Sequence, residues 1–107
     1  MRDPSFVGYV RAADFHDATV LDVETIGDVV RVRVRGYDEK IFISAFSRVR
    51  AIRATHPEGM LLYALSEMRR EPPLRDFVFT NWHDDDEASL EIDAEGMRVY
   101  NEPASIA

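Results

Sequence analysis

The alternation of apolar and polar positions over residues 19–46 predicts three consecutive antiparallel strands. Gly27 and Asp28 are typical of a type II′ hairpin turn, in which glycine supplies a positive φ at the first central position. This turn sets a register that pairs Glu24 with Arg31 and Asp22 with Arg33 on one face. The other face is apolar and consists of Leu21, Val23, Val30, Val32 and Val34. A slip of one residue would lose both patterns, so their agreement favours this register.

A second turn at residues 36–39 leads into the third predicted strand. This turn places Ile41, Ile43 and Ala45 on the apolar face of the hairpin. Phe42 and Phe46 then lie on the opposite face, beside the arginines. The sequence therefore predicts a sheet face of mixed aromatic and charged residues that a later segment or a partner would cover.

Residues 56–70 carry the signals of a helix. Thr55, Pro57 and Glu58 fit a capping box with proline in the first turn, and two prolines at residues 72–73 would stop the helix. An apolar stripe follows at helical spacing and consists of Leu61, Ala64, Leu65 and Met68. We expect this helix to cover part of the sheet.

The final third of the chain predicts another hairpin, with a loop at residues 84–87 and Phe79 opposite Ile92. Its inner face would consist of Phe77, Phe79, Leu90, Ile92 and Ala94. A last short strand is predicted at 97–100. The pattern leaves 6–15 undecided, since a short strand at 6–10 would be interrupted by Gly8, and 47–55 fits either a strand or a helical turn.

These elements predict an α+β fold, mainly antiparallel β, with about six or seven strands in a barrel-like or sandwich-like arrangement and one helix at about 56–70. Residues 1–107 are expected to form a single β-rich domain with loose tails at about 1–5 and 101–107.

The composition of the chain argues against several classes of function. The chain has no cysteine, which excludes disulfides and thiolate metal sites. No stretch approaches the roughly 18 apolar residues of a membrane span, so we expect a cytoplasmic protein without a membrane partner. The net charge of −7 repels phosphate backbones and argues against nucleic acid as a partner. Nothing in the sequence indicates a cofactor.

Candidate chemistry is sparse. The sequence contains no recognisable nucleophile, phosphate-binding or zinc-protease motif, so we predict that the protein is not an enzyme. His16, Asp17 and His83 are residue types that ligate metals, and they form an alternative small-ligand or metal site if they converge in space. The acidic run at residues 84–87 is better explained as a solvated hairpin tip than as a cation site.

The leading hypothesis is a non-catalytic protein-binding module. Exposed aromatic residues mixed with arginines are typical of interface hot spots. The candidate binding residues are Arg31, Arg33, Phe42, Phe46 and Trp82. The partner would be another protein or a second copy of this chain, forming a homodimer.

Four segments carry a resemblance to known proteins: F-H-D-A at 15–18, V-R-V-R-V at 30–34, I-F-I-S-A-F-S-R-V at 41–49 and S-L-E-I-D-A at 89–94. In these segments the chain resembles a group of small uncharacterised bacterial β-rich proteins. Some of those proteins are similar to immunity proteins of bacterial toxin systems, which act by binding. The resemblance implies a binding role and identifies no functional residue.

Overall fold

The computed structural model describes residues 5–83 and 86–102, and these residues form nine strands without a helix. The strands are β1 Phe6–Tyr9, β2 Thr19–Ile26, β3 Val29–Arg35, β4 Ile41–Ser47, β5 Ala51–Thr55, β6 Leu62–Arg69, β7 Arg75–Asn81, β8 Ser89–Ala94 and β9 Gly96–Asn101. The described part of the chain therefore contains no helix that is long and apolar enough to cross a membrane.

The strands make two open antiparallel sheets, one ordered β1-β6-β7-β8-β5 and the other β2-β3-β4-β9. The core lies between them, where the Phe46 ring of the four-stranded sheet packs against Phe77 and Phe79 of the five-stranded sheet, at centroid distances of 5.2 and 5.9 Å. The expected α+β class is wrong, and so are the barrel and the count of six or seven strands.

The chain passes between the sheets twice at one corner, after β4 and after β8. Gly96 starts β9 opposite Ser47, and a Cβ atom at Gly96 would lie 2.6 Å from the Ser47 hydroxyl oxygen. A side chain at position 96 would therefore require the Ser47 hydroxyl to move. The Glu95 amide donates to the Ser47 carbonyl and the Arg50 amide donates to the Asp93 carbonyl, which joins the two crossings.

The predicted helix at 56–70 is strand β6, which pairs with β1 on one side and β7 on the other. Leu62 and Leu65 are both fully buried although they are three residues apart. They share a face because the register with β7 shifts between Leu62 and Ala64, where Tyr63 is the extra residue. The β-bulge therefore produces a three-residue spacing of buried residues, which is typical of a helix. The expected cap is instead a tight turn in which the Met60 amide donates to the Pro57 carbonyl.

The first hairpin has the predicted register from Ile26 opposite Val29 to Asp22 opposite Arg33. Gly27, at the turn, has the expected positive φ of 60°. Beyond Asp22 a bulge shifts the pairing, so that Val20 rather than Leu21 lies opposite Val34. Val20 is therefore the residue that reaches the core.

The predicted register of β4 is wrong by one residue. The loop before β4 has five residues rather than four, closed by the Gly36 amide donating to the Lys40 carbonyl, and Arg35 pairs with Ile41. One extra loop residue turns every side chain of the strand to the opposite face. Phe42 and Phe46 consequently point into the core, and Ile41 and Ile43 are half-buried on the outer face.

The last hairpin differs from its predicted register by two residues, since Phe79 lies opposite Leu90 rather than Ile92. A shift of two returns each side chain to its own face, so the predicted inner face is confirmed as buried. Asp84 and Asp85 of the predicted loop lie outside the described residues.

Segments at the ends of the chain are more ordered than expected. Both undecided segments contain a strand, with β1 in 6–15 and β5 in 47–55. Asn101 belongs to β9, and the Glu102 amide donates to the Ile41 carbonyl, so the expected tail does not begin at 101. The rest of both predicted tails, apart from Ser5, lies outside the described residues.

Candidate functional site: an exposed aromatic cluster

The loop between β1 and β2 carries the first part of the site. Phe15 anchors this loop in the core, where its ring meets the rings of Phe42 and Phe79 edge-on at 5.1 and 6.4 Å. Backbone hydrogen bonds from Val10 to the Leu65 carbonyl and from Asp17 to the Leu62 carbonyl attach the loop to β6. The loop therefore has a defined position, which fixes His16 beside the sheet.

Three exposed rings from separate segments meet there: His16 from the loop, Tyr63 from β6 and Trp82 from the end of β7. Their centroids are 5.5 Å apart for His16 and Tyr63, 5.1 Å for His16 and Trp82, and 5.4 Å for Tyr63 and Trp82. We call these three residues the aromatic cluster.

The backbone explains the positions of Tyr63 and Trp82. Tyr63 is the extra residue of the β6 bulge, and bulges commonly re-aim a side chain beside a functional site. Trp82 follows β7 directly, and its amide donates to the Leu61 carbonyl. Both side chains remain nearly half exposed, Tyr63 at 45% and Trp82 at 44%.

One ring nitrogen of His16 forms a hydrogen bond with the backbone of β6. Its Nδ1 lies 3.1 Å from the Tyr63 carbonyl oxygen, and because a carbonyl only accepts hydrogen bonds, Nδ1 must carry the proton. Its Nε2 lies 3.7 Å from an Asp17 carboxylate oxygen. The ring is therefore held in one orientation beside Tyr63 and Trp82.

A groove of about 500 Å³ adjoins the aromatic cluster, between the segment 9–16 and strand β6. Its walls include Tyr9, Phe15, His16 and Tyr63, and Arg11 and Asp14 add charge. This volume lies in the range of small-molecule binding sites. The groove and the aromatic cluster share His16 and Tyr63, so they form one continuous surface.

Of the predicted protein-binding residues, Trp82 is the one the structure places in this cluster. Phe42 and Phe46 are buried, so they cannot belong to an exposed surface in this fold. Arg33 pairs with Asp22 at 3.2 Å and with Glu102 at 3.1 Å. Arg31 is exposed opposite Glu24, as the register predicted, on the outer face of the other sheet.

The alternative ligand residues are brought together only in part. His16 and Asp17 are adjacent, and His83 follows Trp82 in an exposed position. Within residues 5–83 and 86–102, the one set of three ligand-type side chains within 4.8 Å of one another is Asp76, Glu91 and Asp93. His16, Asp17 and His83 therefore do not form a metal-ligand triad.

The three acidic residues Asp76, Glu91 and Asp93 lie together on the outer face of the five-stranded sheet. Asp76 and Asp93 are directly opposite each other on β7 and β8, a like-charge pair that is unfavourable by itself. Arg53 offsets it, with contacts of 2.8 Å to Glu91 and 3.2 Å to Asp93, and Arg70 adds another 3.2 Å contact to Asp93. We call these five residues the carboxylate–arginine cluster.

Burial first, and then the nearby Glu91 and Asp93 carboxylates, raise the pKa of Asp76 to about 7. One Asp76 oxygen is buried without a hydrogen-bond partner among the described residues. A proton on Asp76 would let it donate to Glu91. The pKa of Glu91 is lowered, first by its hydrogen bond with Arg53 and then by Asp76. The opposite directions of the two pKa shifts assign the proton of this pair to Asp76 and leave Glu91 ionised.

Sequence reasoning missed Tyr63 and the carboxylate–arginine cluster. The sequence predicts a helix at Tyr63, and it leaves strand and helical turn open at Arg53. Asp76 and Asp93 alternate with the buried residues of β7 and β8, and this alternation is the sequence signal that could have placed them on the outer face. The sequence pattern does not establish strand β5, which brings Arg53 to these two residues.

Comparison with known proteins gives no further guide. No protein-family model matches the sequence, and no curated protein or solved structure matches the chain. The resemblance to small bacterial β-rich proteins therefore stays a prediction.

Proposed function

We propose that the protein is a non-catalytic protein-binding module whose recognition surface is the aromatic cluster together with the adjoining groove. The observation that carries this proposal is the meeting of three exposed rings from three segments of the chain. Aromatic side chains supply large contact areas with little conformational entropy to lose, and tryptophan and tyrosine dominate interface hot spots.

The local backbone supports a preformed surface. Phe15 anchors the His16 loop in the core, and hydrogen bonds attach the loop and Trp82 to residues 61–65. A surface held in this way loses little freedom when a partner binds, which favours affinity. The partner is another protein or a second copy of this chain. Nucleic acid is a poor partner because of the charge of −7, and a cytoplasmic location stays our prediction.

Site-specific photo-cross-linking in cells tests the proposal. A photoreactive phenylalanine analogue replaces Tyr63 in one variant and Tyr37 in a matched control, since Tyr37 is also an exposed tyrosine, at 68%, in the loop before β4. We expect a discrete adduct from position 63, lost when Trp82→Ala is added, and no such adduct from position 37. Light scattering then separates a homodimer from a different partner.

Two results would contradict the proposal. One is the same adducts from positions 63 and 37, which would mean that contact is unspecific. The other is no adduct from position 63 combined with a monomer by light scattering. Circular dichroism of each variant verifies that the fold is retained.

A small ligand held in the groove is the second candidate function, favoured by the groove volume of about 500 Å³ and its aromatic walls. Native mass spectrometry of the purified protein checks this alternative. A bound compound would add a defined mass that disappears on denaturation and in an Ala64→Trp variant, which fills the groove.

A further inference from the structure

The aromatic cluster is a stacking platform rather than a cage. Each pair of rings is only 5.1–5.5 Å apart, so the three rings fill the space between themselves. The planes of Tyr63 and Trp82 are inclined by 36° to each other, while His16 stands at 74–75° to both. A ligand would therefore bind on the exposed outer surface of Tyr63 or Trp82, which suits a flat chemical group.

The chain segments next to His16 and Trp82 are mainly acidic. Asp14 and Asp17 are exposed on the loop that carries His16, and Asp86 and Glu87 are exposed on the loop that follows Trp82. Arg11, which lines the groove, carries the opposite charge. The chain as a whole carries −7, so the platform favours a cationic group.

The protein already stacks arginine on aromatic rings elsewhere. Arg75 lies 4.9 Å from the ring centre of Phe77, and Arg98 lies 4.9 Å from that of Tyr100. Within the described ranges, these two are the cation–π contacts, and neither involves Tyr63 or Trp82. The ring faces of the platform are thus not occupied by a described cation of the chain.

We infer that the aromatic cluster receives an arginine side chain from a basic segment of the partner protein. The inference rests on the proposed binding function and names the chemistry of the partner. A guanidinium group is planar, cationic and weakly hydrated, so it stacks on an aromatic face while its N–H groups remain free to bind carboxylates. Asp14 and Asp17 supply such carboxylates beside His16. A lysine ammonium has neither the plane nor the fork of donors.

Trp82 is the only tryptophan of the chain, so its fluorescence reports on this site alone. The probes are three acetylated, amidated peptides: Gly-Gly-Arg-Gly-Gly, its lysine analogue and its citrulline analogue, which keeps the planar shape but has no charge. We expect the arginine peptide to shift the Trp82 emission with saturation. We expect it to bind about five-fold more tightly than the citrulline peptide. Affinity should fall with added salt, since the attraction is electrostatic.

Substitutions in the site and on exposed turns elsewhere distinguish a loss of binding from a loss of folding. Tyr63→Ala and Asp17→Asn should each weaken the arginine peptide about three-fold or more, whereas Tyr37→Ala and Asp28→Asn on exposed turns should leave binding unchanged. Asparagine suits position 17 because Asp17 has a φ of 62°, a conformation that asparagine tolerates. The Asp17 variant should therefore fold normally.

The results distinguish this inference from the proposed function. Equal binding of the arginine and citrulline peptides, or no saturable shift with either, overturns the arginine inference. If cross-linking at position 63 still captures a partner in that case, the binding function stands and only its arginine chemistry is wrong. If position 63 captures no partner, light scattering shows a monomer and the arginine peptide does not bind, both proposals fall.

Discussion

Phe46 shows how a single residue joins the two sheets. Its side chain is fully buried, and its ring meets Phe77 and Phe79 of the opposite sheet. Ile43 on the same strand points outward and is only half-buried, because β4 has the register set by its five-residue loop. The two positions therefore differ in what a truncation removes.

We expect Phe46→Ala to lower the free energy of unfolding by about 3–5 kcal/mol, since it removes a large buried ring and leaves a cavity. Ile43→Ala should lower it by less than about 2 kcal/mol, since that side chain is partly solvated already. Urea denaturation measures both values. A larger loss at Ile43 than at Phe46 would mean that β4 has the opposite register.

Asp76 links stability to pH. Its pKa is raised from 3.8 in the unfolded chain to about 7 in the folded one, so the folded state binds more protons between these values. The stabilisation from protonated Asp76 is therefore complete below about pH 4 and is lost as the pH rises through about 7. The lowered pKa of Glu91 acts in the opposite direction, and chiefly at acid pH.

We expect Asp76→Asn to be more stable relative to the wild type at pH 8 than at pH 5, because asparagine stays neutral where Asp76 must ionise. Urea denaturation at both pH values gives the difference, and Asp22→Asn on the outer face of the other sheet serves as the control. An unchanged pH profile in the Asp76 variant would show that this carboxyl group titrates below the tested range.

At the scale of elements, strand β5 contributes to stability through one side chain, Arg53. It is an edge strand, and it carries Arg53 to the outer face of β7 and β8. There Arg53 compensates the Asp76 and Asp93 pair, with two hydrogen bonds of 3.2 Å to Asp93. The Asp93 side chain is only 2% exposed, so water cannot replace these bonds. Pairing of β5 with β8 thus depends on charge as well as on the backbone.

We expect Arg53→Ala to lower the free energy of unfolding by about 2–3 kcal/mol, because it leaves a buried carboxylate with Arg70 as its remaining cation. Arg50→Ala, which removes an exposed pair with Glu95, should lower it by about 1 kcal/mol or less. Thermal or urea unfolding compares the two variants. Equal losses would indicate that the burial of Asp93 does not determine the effect.

At the scale of the whole molecule, the two sheets share one core and are joined at the corner where Gly96 meets Ser47. Neither sheet can bury its apolar face without the other. The molecule should therefore unfold as one cooperative unit, as small domains with a single core usually do.

We expect urea unfolding curves from Trp82 fluorescence and from far-ultraviolet circular dichroism to coincide. Phe46→Ala should shift both curves by the same amount, since its ring contacts both sheets. If the Trp82 curve moved to lower urea by itself, β6 and β7 would be unfolding separately from the four-stranded sheet.

The sequence by itself determined the hairpin of β2 and β3 and the inner face of β7 and β8. These features depend on local signals: a glycine that adopts a positive φ in a tight turn, and apolar residues at a period of two. The pairings of Asp22 with Arg33 and of Glu24 with Arg31 follow from the same register and are confirmed.

Only the tertiary structure decided β6, the register of β4 and the site. Because of the bulge at Tyr63, Leu62 and Leu65 lie on one face of β6, so this strand has the spacing of apolar residues that is typical of a helix. The segment is a strand because it pairs with β1 on one side and β7 on the other. The same bulge re-aims Tyr63 toward His16 and Trp82. These rings are 19 to 66 positions apart in the chain, so their meeting depends on contacts between strands that no local pattern encodes.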